Sequence, residues 1–360
     1  MVGKGLEIRD FRLFLAICAI AAVFAVAFFL LFETPPHEKW ATTHYNVSYY
    51  VVVENHGIAP ATNIPLTVAL LDSEEPYQTL IGRSVYPEPD RVYRDSMDNS
   101  FAAYEIGSIQ PGENFTVRVD AVFDSENADY NILRSSIGSL GDEESKFTLP
   151  SKYVESNDPA IKAKAASLAE NSTYVVDTLW STYSFIVDEI DYEKQPGEFG
   201  AAWVLGKREG GSAELGNLFV ALARANGIPA RRLSGWGAHF ATNETLDSVQ
   251  FAHGWAEFYL RGYGWVPVDP TFGKTNKFDN FGRSDDDHIV LTRGEGIHFY
   301  TRGPFTSPIG DAELDTTYTV HINSKDVENV SPKRDLLAAL SFAVPALFLA
   351  FLAWKFWKGG

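Results

Sequence analysis

Residues 210–236 read GGSAELGNLFVALARANGIPARRLSGW. Leu215, Leu218, Phe219 and Leu222 recur at helical spacing and predict the buried stripe of a helix over about 212–226. Gly227 is placed as its C-terminal cap, and Pro229 prevents continuation. RRLSGW then predicts a strand. Ser212 stands where the helix begins. Serine is among the best helix N-caps, contributing ~0.5–2 kcal/mol by accepting a bond from a free backbone N–H. Gly210 and Gly211 then make the turn into the helix.

Working outward, FAHGWAEFYL and WVPVDPT predict two more strands, joined as a hairpin by RGYG. Alternation puts His253, Trp255, Glu257 and Tyr259 on one face. Gly254, Ala256, Phe258 and Leu260 point to the other, toward a helix layer. The partner strand ends on Asp269. A histidine and an aspartate on neighbouring strands can make an oriented base, the carboxylate fixing the imidazole tautomer. The hairpin register is not set by the sequence, so their contact is an expectation. Upstream, Val176, Leu179, Trp180, Tyr183, Ile186, Val187 and Ile190 predict an amphipathic helix.

Residues 43–148 have a different period. In NFTVRVDAVF, Phe115, Val117, Val119, Ala121 and Phe123 alternate on one face. HYNVSYYVVVE and IPLTVALL are further strand candidates, with ENHG and QPGE as turns. Short strands at this spacing predict a β-sandwich.

The chain has 360 residues and a formal charge of −17. That argues against nucleic acid as the main partner, because phosphate binding needs a basic face. Hydrophobic residues at 45% and aromatics at 14% suffice for folded cores and argue against disorder. Cys18 is the one cysteine, which rules out an intrachain disulfide and a cysteine-based zinc site.

Two stretches are too apolar for a soluble fold. Residues 13–32 carry no charge, and 336–354 are broken only by Ser341 and Pro345. Each is long enough to cross ~30 Å of hydrocarbon. The first is too long for a cleaved signal peptide and lacks a small-residue cleavage site. Lys4, Arg9 and Arg12 precede it and put the N-terminus inside. The expected layout is a cytoplasmic tail 1–12, a span 13–32, an extracytoplasmic segment 33–335, a span 336–354 and a tail 355–360. Asn46, Asn114, Asn171, Asn243 and Asn329 are glycosylation sequons within the outer segment.

ENSTYVVDTLWSTYSFIVDEIDY, the stretch 210–236 and HGWAEFYLRGYGWVPVDPTFG together resemble the core of the transglutaminase-like family. That family shares the papain-like cysteine-protease fold. The resemblance covers about 155–325. ENHGIAPATN and EPYQTLI resemble the sandwich that often precedes this core in prokaryotic envelope members. The fold expected is therefore α+β. An Ig-like all-β sandwich spans 33–149, a transglutaminase-like domain 150–325 and a linker 326–335, flanked by the two spans.

The resemblance implies a Cys-His-Asp triad. His253 falls on the base and Asp269 on the residue that orients it. The nucleophile position falls on Ser212. Cys18 lies in the first span and cannot substitute. A cysteine at a helix N-terminus beside an imidazolium can have its pKa lowered from about 8.5 to ~3.5. A serine hydroxyl starts several units higher, and the helix dipole supplies only ~0.3–2 kcal/mol. Serine therefore needs its proton removed during attack. Ser212 is read both ways, as helix cap and as nucleophile. Asp269 can likewise cap the turn before Pro270.

Trp255, Glu257 and Tyr259 share the His253 face and are taken as substrate-cleft residues, although Trp255 also suits packing, as does Trp265. Arg231 suits a structural ion pair. Asp285, Asp286, Asp287 and His288 form a solvated acidic loop or a cation site without EF-hand spacing. His239 is expected exposed. No metal or cofactor is expected. Three functions stay open. One is a degenerate member that binds a peptide or envelope polymer. The second is a serine-dependent acyl hydrolase or transferase acting on amides or esters of envelope proteins. The third is a structural or adhesive surface module. The expected partners are the membrane and a protein or peptide at the cell envelope.

Overall fold

Long runs of alternating residues make the first part of the chain a strand assembly. The computed structural model describes residues 37–130, 132, 142–237, 241–247, 251–296, 298–308 and 310–329. Strands β1 (His37–Asn55), β2 (Ala61–Leu70), β3 (Gln78–Tyr86), β4 (Arg91–Arg94), β5 (Ser100–Ile109) and β6 (Asn114–Tyr130) come first. The expected face of β6 is inside: Val117, Val119, Ala121 and Phe123 are buried, and Phe115 packs at the margin. ENHG and QPGE are turns, the second using Gly112 at φ +75°.

Helices then take over. After a single helical turn at Asp142–Ser145 come α1 (Pro159–Ala169), α2 (Val175–Glu189), α3 (Ala201–Lys207) and α4 (Ser212–Ala225), with a small parallel pair of strands, β7 (Asp191–Tyr192) and β8 (Glu209–Gly210), among them. Asp158 caps α1 by accepting from the Ala160 and Ile161 amides at 2.8 and 3.2 Å. Gly227, at φ +74°, ends α4 with its amide on the Arg224 carbonyl. Beyond it run β9 (Ala230–Gly237), β10 (Thr245–Asp247), β11 (Ala252–Leu260), β12 (Gly264–Val268), β13 (Arg283–Ser284), β14 (His288–Arg293), β15 (Tyr300–Arg302) and β16 (Leu314–Asn329).

Three larger sheets result. One has the order β10-β16-β1-β6-β13, with β3 also on β6; a second is β15-β2-β5-β4. These two share one apolar core. Tyr49 stitches it, donating to the Ala69 carbonyl at 3.2 Å and accepting from the Leu71 amide at 3.0 Å. The last described strand, β16, runs antiparallel along nearly all of β1, from Ala41 opposite Asn329 to Asn55 opposite Leu314.

The third sheet, β12-β11-β9-β14, carries the helices on one face. Ala256, Phe258 and Leu260 of β11 pack with Leu215, Leu218, Phe219 and Leu222 of α4 in a second core, as the alternation predicted. Its opposite face meets the first two sheets: Trp236 of β9 and Ile289 and Leu291 of β14 belong to their core. The described residues from Glu38 onward form one compact unit. No helix among the described residues is long and apolar enough to cross a membrane. Both expected spans, 13–32 and 336–354, lie outside the described residues.

Candidate active site

Helix α4 and strand β11 meet at Ser212. Helix α4 starts there, but Ser212 does not cap it. The N-cap is Gly211, and Ser212 is the first helical residue. The capping role falls instead on Glu214, a buried carboxylate that accepts the Gly211 amide at 3.0 Å with one oxygen and the Phe199 amide at 3.0 Å with the other. This folding-back explains the glycine pair: a β-carbon on Gly210 would stand 2.7 Å from the Glu214 β-carbon. The hydroxyl of Ser212 is thereby released from its own helix. Its oxygen accepts the Gly254 N–H of β11 at 3.2 Å. Gly254 permits this approach, since a β-carbon there would lie 3.0 Å from Ala213 Cα.

His253, one residue earlier on β11, is buried at 8% exposure. The hairpin register pairs Ala256 with Val268, which brings Asp269 just beyond the end of β12 to the same rim. His253 Nε2 lies 2.6 Å from Asp269 Oδ2. Phe272 stacks on the imidazole with ring centroids 4.4 Å apart. Among the described residues, no hydrogen bond runs from Ser212 to His253 in this geometry.

Asp269 performs both roles expected of it. Oδ1 accepts the Thr271 and Phe272 amides at 2.6 and 3.2 Å, closing the turn after Pro270. Oδ2 serves the imidazole. Burial alone would push this carboxyl up, but the His253 and His288 imidazoles and their hydrogen bonds hold it well below the ordinary carboxylate range. Asp269 is therefore a carboxylate, His253 Nε2 is the donor, and Nδ1 is left as the basic nitrogen.

His288 is the residue that sequence reasoning missed. It is not in a solvated loop: its Nε2 lies 3.0 Å from Asp269 Oδ2 and its Nδ1 2.7 Å from Asp285 Oδ1. Burial alone would lower its pKa, but the Asp285 and Asp269 carboxylates raise it to about 10. The DDDH run drew attention for its charge, while its target lies 19 residues back in the chain. His253 Nε2, Asp269 Oδ2 and His288 Nε2 lie within 4.8 Å of one another, the donor set of a two-histidine, one-carboxylate metal site. Their N···O separations of 2.6 and 3.0 Å are those of hydrogen bonds. Ligands ~2.0–2.1 Å from a tetrahedral zinc stand roughly 3.3 Å apart. The arrangement is a hydrogen-bonded chain.

Of the other expected cleft residues, Trp255 lies beside the centre, stacked on His253 with ring centroids 5.7 Å apart and edge-on to His288 at 5.1 Å, while Glu257 and Tyr259 make their contacts away from it. The hairpin face carrying Trp255, Glu257 and Tyr259 is as predicted, but it is covered. Glu257 is fully buried. It is ion-paired with Arg231 and accepts the Tyr77 hydroxyl at 2.8 Å. Arg231 also reaches Glu74 Oε1 at 2.8 Å, and Arg293 Nε lies 2.5 Å from Glu74 Oε2. Arg231 is thus in the ion pair expected of it. Trp255 is buried at 1%, and Tyr259 packs edge-on to Trp265. His239 lies outside the described residues.

Residues 162–270 match the transglutaminase-like superfamily. The transglutaminase-like segment contains Ser212, His253 and Asp269, and it stops short of Asp285 and His288. Part of the chain is also 42% identical, over 79 residues, to an uncharacterized protein of Haemophilus influenzae; the match spans 18% of this chain and only 21% of that relative's length. Among solved structures, a candidate cysteine protease from Cytophaga hutchinsonii superposes with a TM-score of 0.56 at 15% identity, covering 82% of this chain and 93% of that one. The likeness is one of fold, and at 82% of this chain it reaches beyond the matched segment 162–270. The periplasmic domain of TgpA from Pseudomonas aeruginosa is a looser match, with a TM-score of 0.34 at 16% identity over 65% of this chain and 90% of that chain.

Proposed function

We propose that the protein is a serine-dependent acyl hydrolase or transferase built on a transglutaminase-like core. The observation that carries this reading is the position of the Ser212 oxygen. It is turned off its own helix and onto the backbone of the residue next to His253. A serine kept only as a cap would face its own first turn.

In the proposed reaction the Ser212 oxygen bonds to the carbonyl carbon of an amide or ester, and its proton passes to His253 Nδ1. The carbonyl oxygen takes the negative charge. Helix geometry leaves the first amides of α4 without intrahelical partners, so they are available to stabilise that charge. Collapse breaks the C–N or C–O bond, and the leaving group takes the proton from His253. Water or an amine then attacks the acyl-serine, giving its proton to His253 as the Ser212 oxygen leaves, and that proton returns to the serine oxygen. Asp269 stays ionised throughout and stabilises the imidazolium. The substrate class, an envelope peptide or protein, and the anchoring of residues 33–335 outside by the spans 13–32 and 336–354, are parts of the same proposal.

The missing hydrogen bond between Ser212 and His253 favours a second reading, a degenerate cleft that binds a peptide without turnover. The test uses the full chain with Cys18→Ala and Ser212→Cys, so that the introduced thiol is unique. Alkylation of that thiol is followed against pH, with and without His253→Ala. A thiol pKa well below the free value of about 8.5, returning toward it in the His253 variant, is expected. An ordinary value in both would leave the binding cleft as the reading.

A further inference from the structure

The transglutaminase-like match ends at residue 270, yet the buried polar chain does not. It continues from Asp269 to His288 and on to Asp285, with links of 3.0 and 2.7 Å. Both ring nitrogens of His288 face carboxylate oxygens, and a carboxylate only accepts. Both nitrogens must therefore carry protons, and the ring is an imidazolium. Its side chain is 12% exposed, so the charge is shielded little by water.

We propose that His288, kept charged by Asp285, is a positioning residue of this centre that clamps Asp269 in place and tunes how firmly His253 holds a proton. The inference rests on the reading of His253 as the base. Two effects follow from the geometry. The first is orientational. Asp269 Oδ2 is shared between two N–H donors while Oδ1 is held by two backbone amides, so the carboxylate has no free direction in which to turn. The second is electrostatic. The His288 ring centroid lies 5.7 Å from that of His253. A permanent cation at that range opposes a second positive charge on His253. It offsets part of the attraction that the Asp269 carboxylate exerts on a positive charge there. A serine nucleophile needs a neutral base at rest, unlike a cysteine that forms an ion pair with its histidine.

Among the described residues, Asp269 follows β12, Asp285 precedes β14, and Arg283 and Tyr77 line the same solvent-connected recess beside His288. Asp285 belongs to the loop that enters β14, so the strand's register sets the distance of its carboxylate from the ring.

The experiment is carried out on the full chain in detergent. Deuterium uptake at the imidazole C2 position is read peptide by peptide by mass spectrometry across pH, which yields a titration midpoint for each histidine separately. In the unaltered protein, the His288 midpoint is expected well above the ordinary 6.5, and in Asp285→Asn it should fall. In His288→Gln, whose amide can still donate to Asp269 but carries no charge, the His253 midpoint is expected to rise by on the order of one pH unit. A residue that merely fills space would lower the melting temperature and leave that midpoint alone. An ordinary His288 midpoint in the unaltered protein, or a His253 midpoint unmoved in His288→Gln, overturns the proposal; the first needs no variant to fold. Failure of the acyl-transfer reading shows separately, as an ordinary thiol at position 212.

Discussion

Gly237 faces the flank of His253 so closely that a β-carbon there would stand 2.5 Å from the ring's Cδ2 and 2.6 Å from its Cβ. The imidazole is thus positioned from two directions, by the absence of a side chain on β9 and by the Asp269 carboxylate after β12. Gly237→Ala is expected to push the ring off its 2.6 Å bond to Asp269. Overpacking of this kind costs ~1–3 kcal/mol. In the chain carrying Cys18→Ala and Ser212→Cys, the thiol should then titrate near its free value of about 8.5. Gly206→Ala is the control, since nothing lies within 4 Å of a β-carbon there. An unchanged alkylation profile in Gly237→Ala would mean that the ring is not held from this side.

Glu214→Gln tests how the nucleophile's turn is built. The carboxylate accepts two amides, from Gly211 and Phe199. An amide of the same size turns one acceptor into a donor that faces an N–H. Leaving a buried donor unsatisfied costs ~1–3 kcal/mol. Urea denaturation should show a loss in that range, with a further loss of reactivity at position 212 because Gly211 is no longer tied down. If stability is unchanged, Ser212 is held by other means.

The buried network behind β11 supports a third expectation. Glu257→Ala leaves the Arg231 guanidinium buried beside Glu74 with half of its compensation gone. Breaking a buried pair from one side typically costs ~3–5 kcal/mol, whereas replacing the pair by apolar residues is often near neutral. The single variant should lose that much in denaturant titrations, and Arg231→Met with Glu257→Leu should lose clearly less. A small loss in the single variant would show that water reaches the network. Stacking of the Arg231 guanidinium on Trp265, 4.1 Å from the ring centroid, keeps some of its packing in Glu257→Ala.

The parts of this molecule that a single element determines were legible in its sequence. The α4 stripe, the inward face of β6 and the two faces of β11 follow from periodicity, the Gly227 stop from glycine and proline chemistry, and all are as read. What escaped depends on pairings far apart in the chain. Ser212 looked like a cap because serine usually is one. That Gly211 takes the position and Glu214 ties it down depends on how the chain enters the helix from β8. Glu257 looked like a cleft residue because alternation gives its face and not what covers that face. Tyr77, which covers it, is 180 residues away. His288 looked like part of a solvated run because three carboxylates precede it, and only the path of the chain from β12 to β14 turns it toward Asp269.

Among the groups with raised pKa values, the buried Glu74 and His288 bear most on the pH dependence of stability. Burial and the neighbouring Glu257 charge push Glu74 up to about 7, against the pull of Arg231 and Arg293. The two carboxylates flanking His288 outweigh its burial and raise it to about 10. A group whose folded pKa is raised binds its proton more tightly when folded. Its stabilisation is complete below the unfolded pKa and is lost as pH rises through the folded one. Glu74 therefore contributes most below about 4.5 and loses that contribution by about 7, while His288 loses its share between about 6.5 and 10. Asp269 acts in the opposite sense, its contribution fading only in strong acid. Unfolding free energies from urea titrations should thus decline from near-neutral into alkaline pH, with a slope from His288 of at most ~1.4 kcal/mol per pH unit. His288→Gln should flatten that alkaline arm while leaving the Glu74 step between about 4.5 and 7, and Glu74→Gln should do the reverse. An alkaline decline of equal slope in His288→Gln would assign it to other groups and would remove the evidence that His288 is charged in the folded protein.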